Sequence, residues 1–367
     1  MQLVSKTIRA GSVAELYITA CPNPDADTEK QAEELFTAVK TTLEDVGAQL
    51  VQERVFATED ALRLARPIRS SVYAELDDGV EPAWLVTPEG INGRIAGLQV
   101  HAVTGCPKPQ VLRYKGTSCG RLVQGPDTNI VMLSGICNPA GGDAVQQACD
   151  MLEKGLSVLK QVGLDMFAVP RTWMWLGNIL HWYDQFNNVR NAFFTKWGLI
   201  GNGQDKMPAS TGIGIRPANG SLCAMDLAAV SGKKAVIKYI NIGGNQMGAI
   251  NYGSAFSRAT VANTIAGETV FVSGTASIGA DGKTTNIGDT PAQIRQTIEN
   301  VRALLRQLDC CNEDVVQATA YCKTPEIEKL FCEEWSALPW PVLTAIADIC
   351  REDLLFEMEA TAVRPYR

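Results

Sequence analysis

The chain has 367 residues, of which 46% are hydrophobic and 20% charged, which is the composition of a globular protein with a large core. The formal net charge is −7 and no long run of basic residues offsets it, which argues against a nucleic-acid binder or a membrane-surface protein. Residues 1–20 lack the apolar segment of a signal peptide, so we expect a cytoplasmic protein with a small-molecule or protein partner.

The first predicted elements are a strand at 15–20, a helix that opens at Gln31 and a strand at 97–105. In the helix, apolar residues recur at intervals of three and four, as expected for one buried face. Gly47 follows sixteen residues after Gln31, where a left-handed turn that ends a helix favours glycine.

The same order of elements recurs twice further along the chain. The second copy has a strand at 129–136, a helix opening at Gln147 and a strand at 222–230. The third copy has a strand at 268–278, a helix opening at Gln293 and a strand at 355–363. Gly163 and Asp309 lie sixteen residues beyond the two glutamines, as Gly47 does in the first copy.

These repeats predict three α+β units, at 1–115, 116–235 and 236–367, each a sheet with helices on one face. The other sheet faces are partly polar, so we expect them to approach one another in a single-chain pseudo-trimer with ligand sites in the clefts between units. The alternative is a set of unrelated α/β hairpins whose spacing coincides.

Two acids in the last predicted strand raise a question of function. Glu357 and Glu359 lie on one face of the strand, and Met358 lies on the other. Burial would raise the pKa of one glutamate, and the neighbouring negative charge would add to that shift, so one of the pair could act as a general acid. The alternative is that both acids form ion pairs with arginines across an interface.

The eleven cysteines show no C-x-x-C spacing, and the only histidines are His101 and His181. This pattern is typical of reduced thiols in a core, so we expect no disulfide framework, no metal site and no cofactor.

The third unit resembles the RidA (YjgF) family in "FVSGTASI", "AQIRQTIENVRALL", "DVVQATAYCKTPE" and "LLFEMEATAV". A closer resemblance, to the chorismatases, extends over roughly residues 170–363 in "RTWMWLGNILHWYDQFNNVRNAFF", "PASTGIG", "NQMGAINYGSAFSRAT", "VSGTASIG" and "DICREDLLFEMEAT". The resemblance implies three fused RidA-like units, the third with the family motifs intact. It also implies removal of the enolpyruvyl group of chorismate, giving pyruvate with 3-hydroxybenzoate or a dihydroxycyclohexadiene carboxylate.

The resemblance also implies functional residues. Glu357 matches the catalytic acid, and Cys350 matches a cysteine of the hydroxybenzoate-forming branch. Residues in runs that line the family's substrate pocket are Arg171, Arg258, Ala259 and Arg351.

A chorismate-like substrate carries two carboxylates, so an acidic protein needs local positive charge to bind it. Arg190 and Lys323 are further candidates for binding such a small anionic substrate, together with Glu359 beside the acid. Cys350 could instead be a core thiol, and the tryptophans near Arg171 could be packing residues.

Two other functions remain open at the level of sequence. One is an imine or enamine hydrolase of the RidA type. The other is a ligand-binding or scaffold protein without catalysis, for which Lys323 and Val342 argue because family members carry arginines in those regions. Association of whole chains into a homo-oligomer is also possible.

Overall fold

The computed structural model describes residues 1–201 and 205–366 and contains three six-stranded sheets. The first unit comprises β1 (Gln2–Ala10), β2 (Val13–Cys21), α1 (Thr28–Asp45), β3 (Gln49–Ala57), α2 (Glu59–Tyr73), β4 (Ala83–Val86) and β5 (Ile95–Thr104). The second comprises β6 (Gln110–Tyr114), β7 (Thr117–Gln124), β8 (Asn129–Ile136), α3 (Ala144–Gln161), β9 (Arg171–Leu176), α4 (Tyr183–Lys196), β10 (Ala209–Ile213), β11 (Arg216–Pro217) and β12 (Cys223–Ser231). The third comprises β13 (Ile237–Ile240), β14 (Ala259–Asn263), β15 (Gly267–Ala276), α5 (Thr290–Gln307), β16 (Val315–Cys322), α6 (Pro325–Glu334), β17 (Val342–Ile346) and β18 (Phe356–Pro365).

The second and third sheets share one strand order, and the first sheet has the same central order but lacks their outermost first strand and gains β11 at the opposite edge. The sheets run β1-β2-β5-β3-β4-β11, β6-β7-β8-β12-β9-β10 and β13-β14-β15-β18-β16-β17. In each unit the last long strand pairs antiparallel between two earlier strands, and the pairs β3/β4, β9/β10 and β16/β17 are parallel. The prediction of three α+β units is therefore confirmed.

The strand pairing also shows where the boundaries between the units lie. The predicted boundary between residues 115 and 116 falls inside a β-hairpin, because Tyr114 pairs with Thr117 and β6 belongs to the second sheet. Lys115 and Gly116 both have positive φ, as a tight two-residue turn requires. The boundary at 235/236 falls between β12 and β13, and β11 of the second segment adds to the edge of the first sheet.

The three repeated helices begin earlier than predicted. Each starts three residues before its glutamine, after an aspartate whose side chain accepts a hydrogen bond from the backbone of the first turn; these caps are Asp27, Asp143 and Asp289. The predicted left-handed residues after the helices are confirmed, with φ of 62° at Gly47, 73° at Gly163 and 54° at Asp309.

The repeated glutamines are buried, and their side chains form hydrogen bonds with backbone groups outside the helix. Gln293 donates from Nε2 to the Asp353 oxygen at 2.8 Å and accepts from the Leu355 nitrogen at 2.9 Å. Gln147 accepts from the Leu222 nitrogen at 2.8 Å in the same way. In the second and third units, this glutamine therefore holds the start of the last strand, which carries Asp226 in the second unit and Glu357 and Glu359 in the third.

The long helices cover one face of each sheet, and the opposite faces meet at the centre of the molecule. Buried ion pairs cross between units there: Arg54 Nε lies 2.9 Å from Asp226, and Arg171 Nη2 lies 2.7 Å from Glu359. None of the helices in the described part of the chain combines the length and apolar character that crossing a membrane requires.

The pair between Arg171 and Glu359 should stabilise the contact of the second and third units. Arg171→Met would leave Glu359 buried without its cation, so we expect the free energy of unfolding to fall by about 3–5 kcal/mol in chemical denaturation. The control is Arg306→Met, which removes the exposed partner of Glu299 and should cost less than about 1 kcal/mol. Equal small losses in both variants would contradict this role.

Candidate active site

A cavity of about 120 Å³ lies between the second and third units. The second unit contributes Tyr183, Asp184, Asn187 and Arg190 from α4 and Ser210 and Gly212 from β10. The third unit contributes Tyr252, Ser254, Phe256, Arg258, Gly274, Ala276, Ile278, Cys350, Arg351 and Glu357. The site is thus built from a helix and a strand of one unit and from two adjacent strands and their flanking segments in the next.

Glu357 reaches the cavity because a bulge in β15 makes room for its carboxyl group. The pairing of β15 with β18 shifts between Val272 and Thr275, so Gly274 lies outside the regular ladder. A Cβ atom at Gly274 would lie 2.1 Å from Glu357 Oε1, which means that only glycine permits this close approach.

The environment of Glu357 favours the protonated acid. Its side chain is only 4% exposed, and no hydrogen bond among the described residues reaches its carboxyl group. Burial raises the pKa of Glu357 to about 8, and the negative charge of Glu359 adds to this shift, whereas Arg171 and Arg258 oppose it. A proton donor is therefore available in this cavity near neutral pH.

Glu359 is in a different environment, although it lies on the same face of β18. Its Oε2 accepts from Arg171 Nη2 at 2.7 Å, and its Oε1 accepts from Trp173 Nε1 at 2.9 Å. Thr211 also donates to Glu359, and the same hydroxyl accepts from the Gly274 nitrogen at 3.1 Å. The expected interface ion pair thus holds for Glu359, and Glu357 is left facing the cavity.

Three guanidinium groups border the cavity. Arg190 is buried and donates from Nη2 to Asn187 at 2.6 Å, while its buried Nε has no hydrogen-bond partner in the described part of the chain. Arg258 is also buried and donates to the Met247 oxygen at 2.9 Å. Arg351 is half-buried and donates to the Gly282 oxygen at 3.0 Å. With Glu357 protonated, this lining is suited to an anion.

Cys350 lines the cavity beside the acid. Burial raises the pKa of its thiol to about 12, and the neighbouring Glu357 acts in the same direction. The sulfur is therefore a neutral thiol at physiological pH, able to form weak hydrogen bonds but without the reactivity of a thiolate.

Four of the predicted site residues lie outside the lining. Arg171 and Glu359 pair with each other behind it. Ala259 is fully buried in the apolar core of the third unit. Lys323 donates to the Glu352 oxygen at 2.7 Å and to no group of the cavity.

Arg190 is among the predicted site residues, but the sequence did not lead us to the other polar residues on its side of α4. Tyr183, Asn187 and Arg190 follow at intervals of four and three, which places them on one side of a helix. Buried polar residues at this spacing were a usable signal, since a helix seldom buries an asparagine and an arginine without a specific partner. Tyr252 and Phe256 lie in an irregular segment, so no helix or strand periodicity in the sequence could indicate them as lining residues.

No three His, Cys, Asp or Glu side chains in residues 1–201 and 205–366 are grouped so that they could hold a metal ion.

Removing the buried acid should change how stability depends on pH. Folding raises the pKa of Glu357 from 4.5 to about 8, so the folded protein holds the proton more tightly, and the stability of the wild type falls as pH rises between these values. Glu357→Gln should therefore have a higher melting temperature than the wild type at pH 9 and a similar one at pH 4.5. The exposed control Glu89→Gln should show no such pH-dependent difference, and a parallel wild-type and Glu357→Gln profile would rule out the raised pKa.

Comparison with known proteins places the fold. Residues 249–364 match the sequence profile of the family described as Endoribonuclease L-PSP, which is the RidA/YjgF group. None of the curated proteins matches the chain.

The crystal structure of a chorismatase superposes over 99% of this chain and 98% of its own, with a TM-score of 0.61 at 16% sequence identity. A putative endoribonuclease from Thermotoga maritima covers 35% of this chain and 99% of its own, at 19% identity and a TM-score of 0.29. TdcF of E. coli, solved with bound serine, covers 35% of this chain and 99% of its own, at 21% identity and a TM-score of 0.27. The chain therefore has the fold of chorismatase over its whole length, and the match to the Endoribonuclease L-PSP family lies within its third unit.

Proposed function

We propose that the protein is a chorismatase-like enzyme that cleaves an enolpyruvyl ether, with Glu357 as the proton donor. The observation that carries this proposal is the buried carboxyl group of Glu357, whose pKa is raised to about 8 in a cavity bordered by three arginines. The chorismatase fold of the whole chain supports the proposal independently.

The first chemical step uses the proton of Glu357. Transfer of that proton to the terminal CH₂ carbon of the enolpyruvyl group gives an oxocarbenium ion, and the glutamate becomes a carboxylate. Addition of water and collapse of the hemiketal then break the ether C–O bond and release pyruvate and the ring alcohol. From chorismate, cleavage with one water gives a dihydroxycyclohexadiene carboxylate, and cleavage with no net water gives 3-hydroxybenzoate.

The cavity also has groups suited to the rest of such a substrate. A carboxylate could accept from the unpartnered Nε of Arg190, which would relieve the cost of a buried donor without an acceptor. Arg258 and Arg351 offer further charge-assisted contacts. The rings of Tyr252 and Phe256 provide flat walls for a six-membered ring.

Cys350 lies close to the acid as a neutral thiol, so in this mechanism it does not attack the substrate. We assign it a part in positioning the ring or an attacking group, which would affect which of the two products forms.

A second candidate is the hydrolysis of an imine or enamine. The segment 249–364, which matches the RidA/YjgF family, contains Glu357, Cys350 and Arg258 of the cavity. These could bind the carboxylate of a small imino acid and move a proton to or from its nitrogen. The two candidates differ in substrate: chorismate for the first and 2-iminopropanoate for the second.

The main prediction is release of pyruvate from chorismate by the purified protein. Glu357→Gln should lower the rate by about 10²–10⁴-fold, the range typical of a lost general acid, whereas the exposed control Glu89→Gln should keep wild-type activity. Because the donor must be protonated, kcat/KM should fall as pH rises through about 8. No pyruvate at high enzyme concentration would exclude this activity, and accelerated hydrolysis of 2-iminopropanoate would then favour the second candidate. Turnover of neither substrate would favour a protein that only binds its ligand.

The contact between Gly274 and the acid gives a separate prediction. In Gly274→Ala the new methyl group would displace the Glu357 carboxyl from its place beside the strand, so we expect at least a tenfold loss of kcat. Such a loss corresponds to only about 1.4 kcal/mol in the barrier. The melting temperature serves as the control for folding. A folded variant with full activity would show that the acid is not needed in this position.

A further inference from the structure

The boundary between the first and second units repeats the construction of the active-site cavity. In the third unit the Ser273-Gly274 pair lies in a bulge of β15, and in the second unit Ser134-Gly135 lies in a bulge of β8. Opposite these bulges are α4 of the second unit and α2 of the first. The two helices are equivalent, because α4 follows β9 and α2 follows β3, and each of these strands pairs with the last strand of its unit.

Ala224 occupies the place in the second unit that Glu357 occupies in the third. Ala224 pairs with Trp175 on β9, and Glu357 pairs with Tyr321 on β16. The next residue in both strands is a methionine that pairs across the bulge. A methyl group therefore replaces the proton donor at this boundary.

The resulting cleft, which we name the first-second cleft, has a volume of about 530 Å³. That volume is in the range of small-molecule sites. Trp84 and Trp175 form its buried floor, with exposures of 6% and 0%, and Ser134 and Cys137 add polar groups beside the bulge. The exposed rings of Pro67 and Pro139 supply accessible apolar surface, against which a ring of about six atoms could pack.

Two cations lie in the lining of this cleft. The Arg66 guanidinium is 5.3 Å from the centre of the Trp84 ring, and Lys154 Nζ donates to the Cys137 oxygen at 3.0 Å. The acid Glu81 also lines the cleft, but it accepts from Trp84 Nε1 at 2.6 Å. Arg66 and Lys154 are both half-buried, so an anion there would be partly shielded from water.

The boundary between the third and first units is built differently. Glu328 on α6 is buried, where it accepts from the Ile91 nitrogen at 2.8 Å and from Thr344 Oγ1 at 2.5 Å. The chain at 90–91 packs on this carboxylate. The repeat alone therefore does not produce an open cleft, because the chain fills the equivalent space at the boundary between the third and first units.

We propose that the first-second cleft is a second binding site, which takes a small ring-bearing carboxylate and does not transform it. Arg66 and Lys154 bind the carboxylate, and Pro67 and Pro139 contact the ring. Since Ala224 offers no proton, the ligand leaves unchanged. This inference does not depend on the reaction proposed for the Glu357 cavity, because its readout is binding and not turnover.

The test is isothermal titration calorimetry with benzoate, the simplest ring carboxylate. The double variant Arg66→Gln/Lys154→Gln should weaken benzoate binding at this site at least tenfold, because both charge-assisted contacts are lost. The matched control is Arg258→Gln in the Glu357 cavity, which should leave this binding event unchanged. Should the double variant fail to unfold cooperatively, the two single variants give the same comparison.

A binding event that weakens only in the first-second cleft variants supports the proposal. It is overturned if the wild type shows no binding of benzoate up to millimolar concentrations, or if the affinity is the same in the Arg66 and Lys154 variants. Binding that is lost only in Arg258→Gln would also overturn it, because the ligand would then occupy the active-site cavity alone.

Discussion

The ion pair between Arg171 and Glu359 is the interaction on which the candidate site depends. Two glutamates on one face of a buried strand would repel each other if both were ionised, and in this structure only Glu359 forms an ion pair. Arg171 reaches from the second unit to form it, and Thr211 connects the pair to the Gly274 backbone. The same contact that joins two units thus leaves Glu357 as the acid that burial keeps protonated.

This arrangement accounts for the position of the site at a unit boundary. The acid belongs to the third unit, the partner that neutralises its neighbour belongs to the second, and Arg190 from α4 supplies a cation on the opposite wall. Neither unit has the complete set of groups by itself. The first-second cleft has the same framework without the acid, since Ala224 replaces it, and the third boundary is occupied by the chain around Ile91 and the buried Glu328. One repeated framework therefore supports three different local environments.

Much of the fold could be predicted from the sequence because it is local and repeated. The apolar periodicity of the helices, the left-handed residues such as Gly47 and the alternation around Met358 are set by backbone geometry within a few residues. Each helix starts earlier than predicted because the capping aspartates, such as Asp27, lie outside the apolar periodicity of the helix. The boundary predicted between Lys115 and Gly116 falls in a two-residue turn, because Tyr114 and Thr117 pair across it.

The candidate site was less predictable because its contacts join residues far apart in the chain. Periodicity placed Glu357 and Glu359 on one face, but it could not assign Arg171 to one of them, since that pairing depends on how two sheets pack. Arg171 and Arg190 look alike in sequence, yet one lies behind the cavity and the other lines it. The distinction comes from tertiary packing, which no local pattern encodes.

The protonation of Glu357 near neutral pH is the central claim, and site-specific titration measures it most directly. In ¹³C NMR of protein labelled at the glutamate carboxyl carbons, one carboxyl resonance should titrate with a pKa of about 8 and be absent from the spectrum of Glu357→Gln. A Glu357 resonance that titrates near the ordinary value of 4.5 would contradict the account.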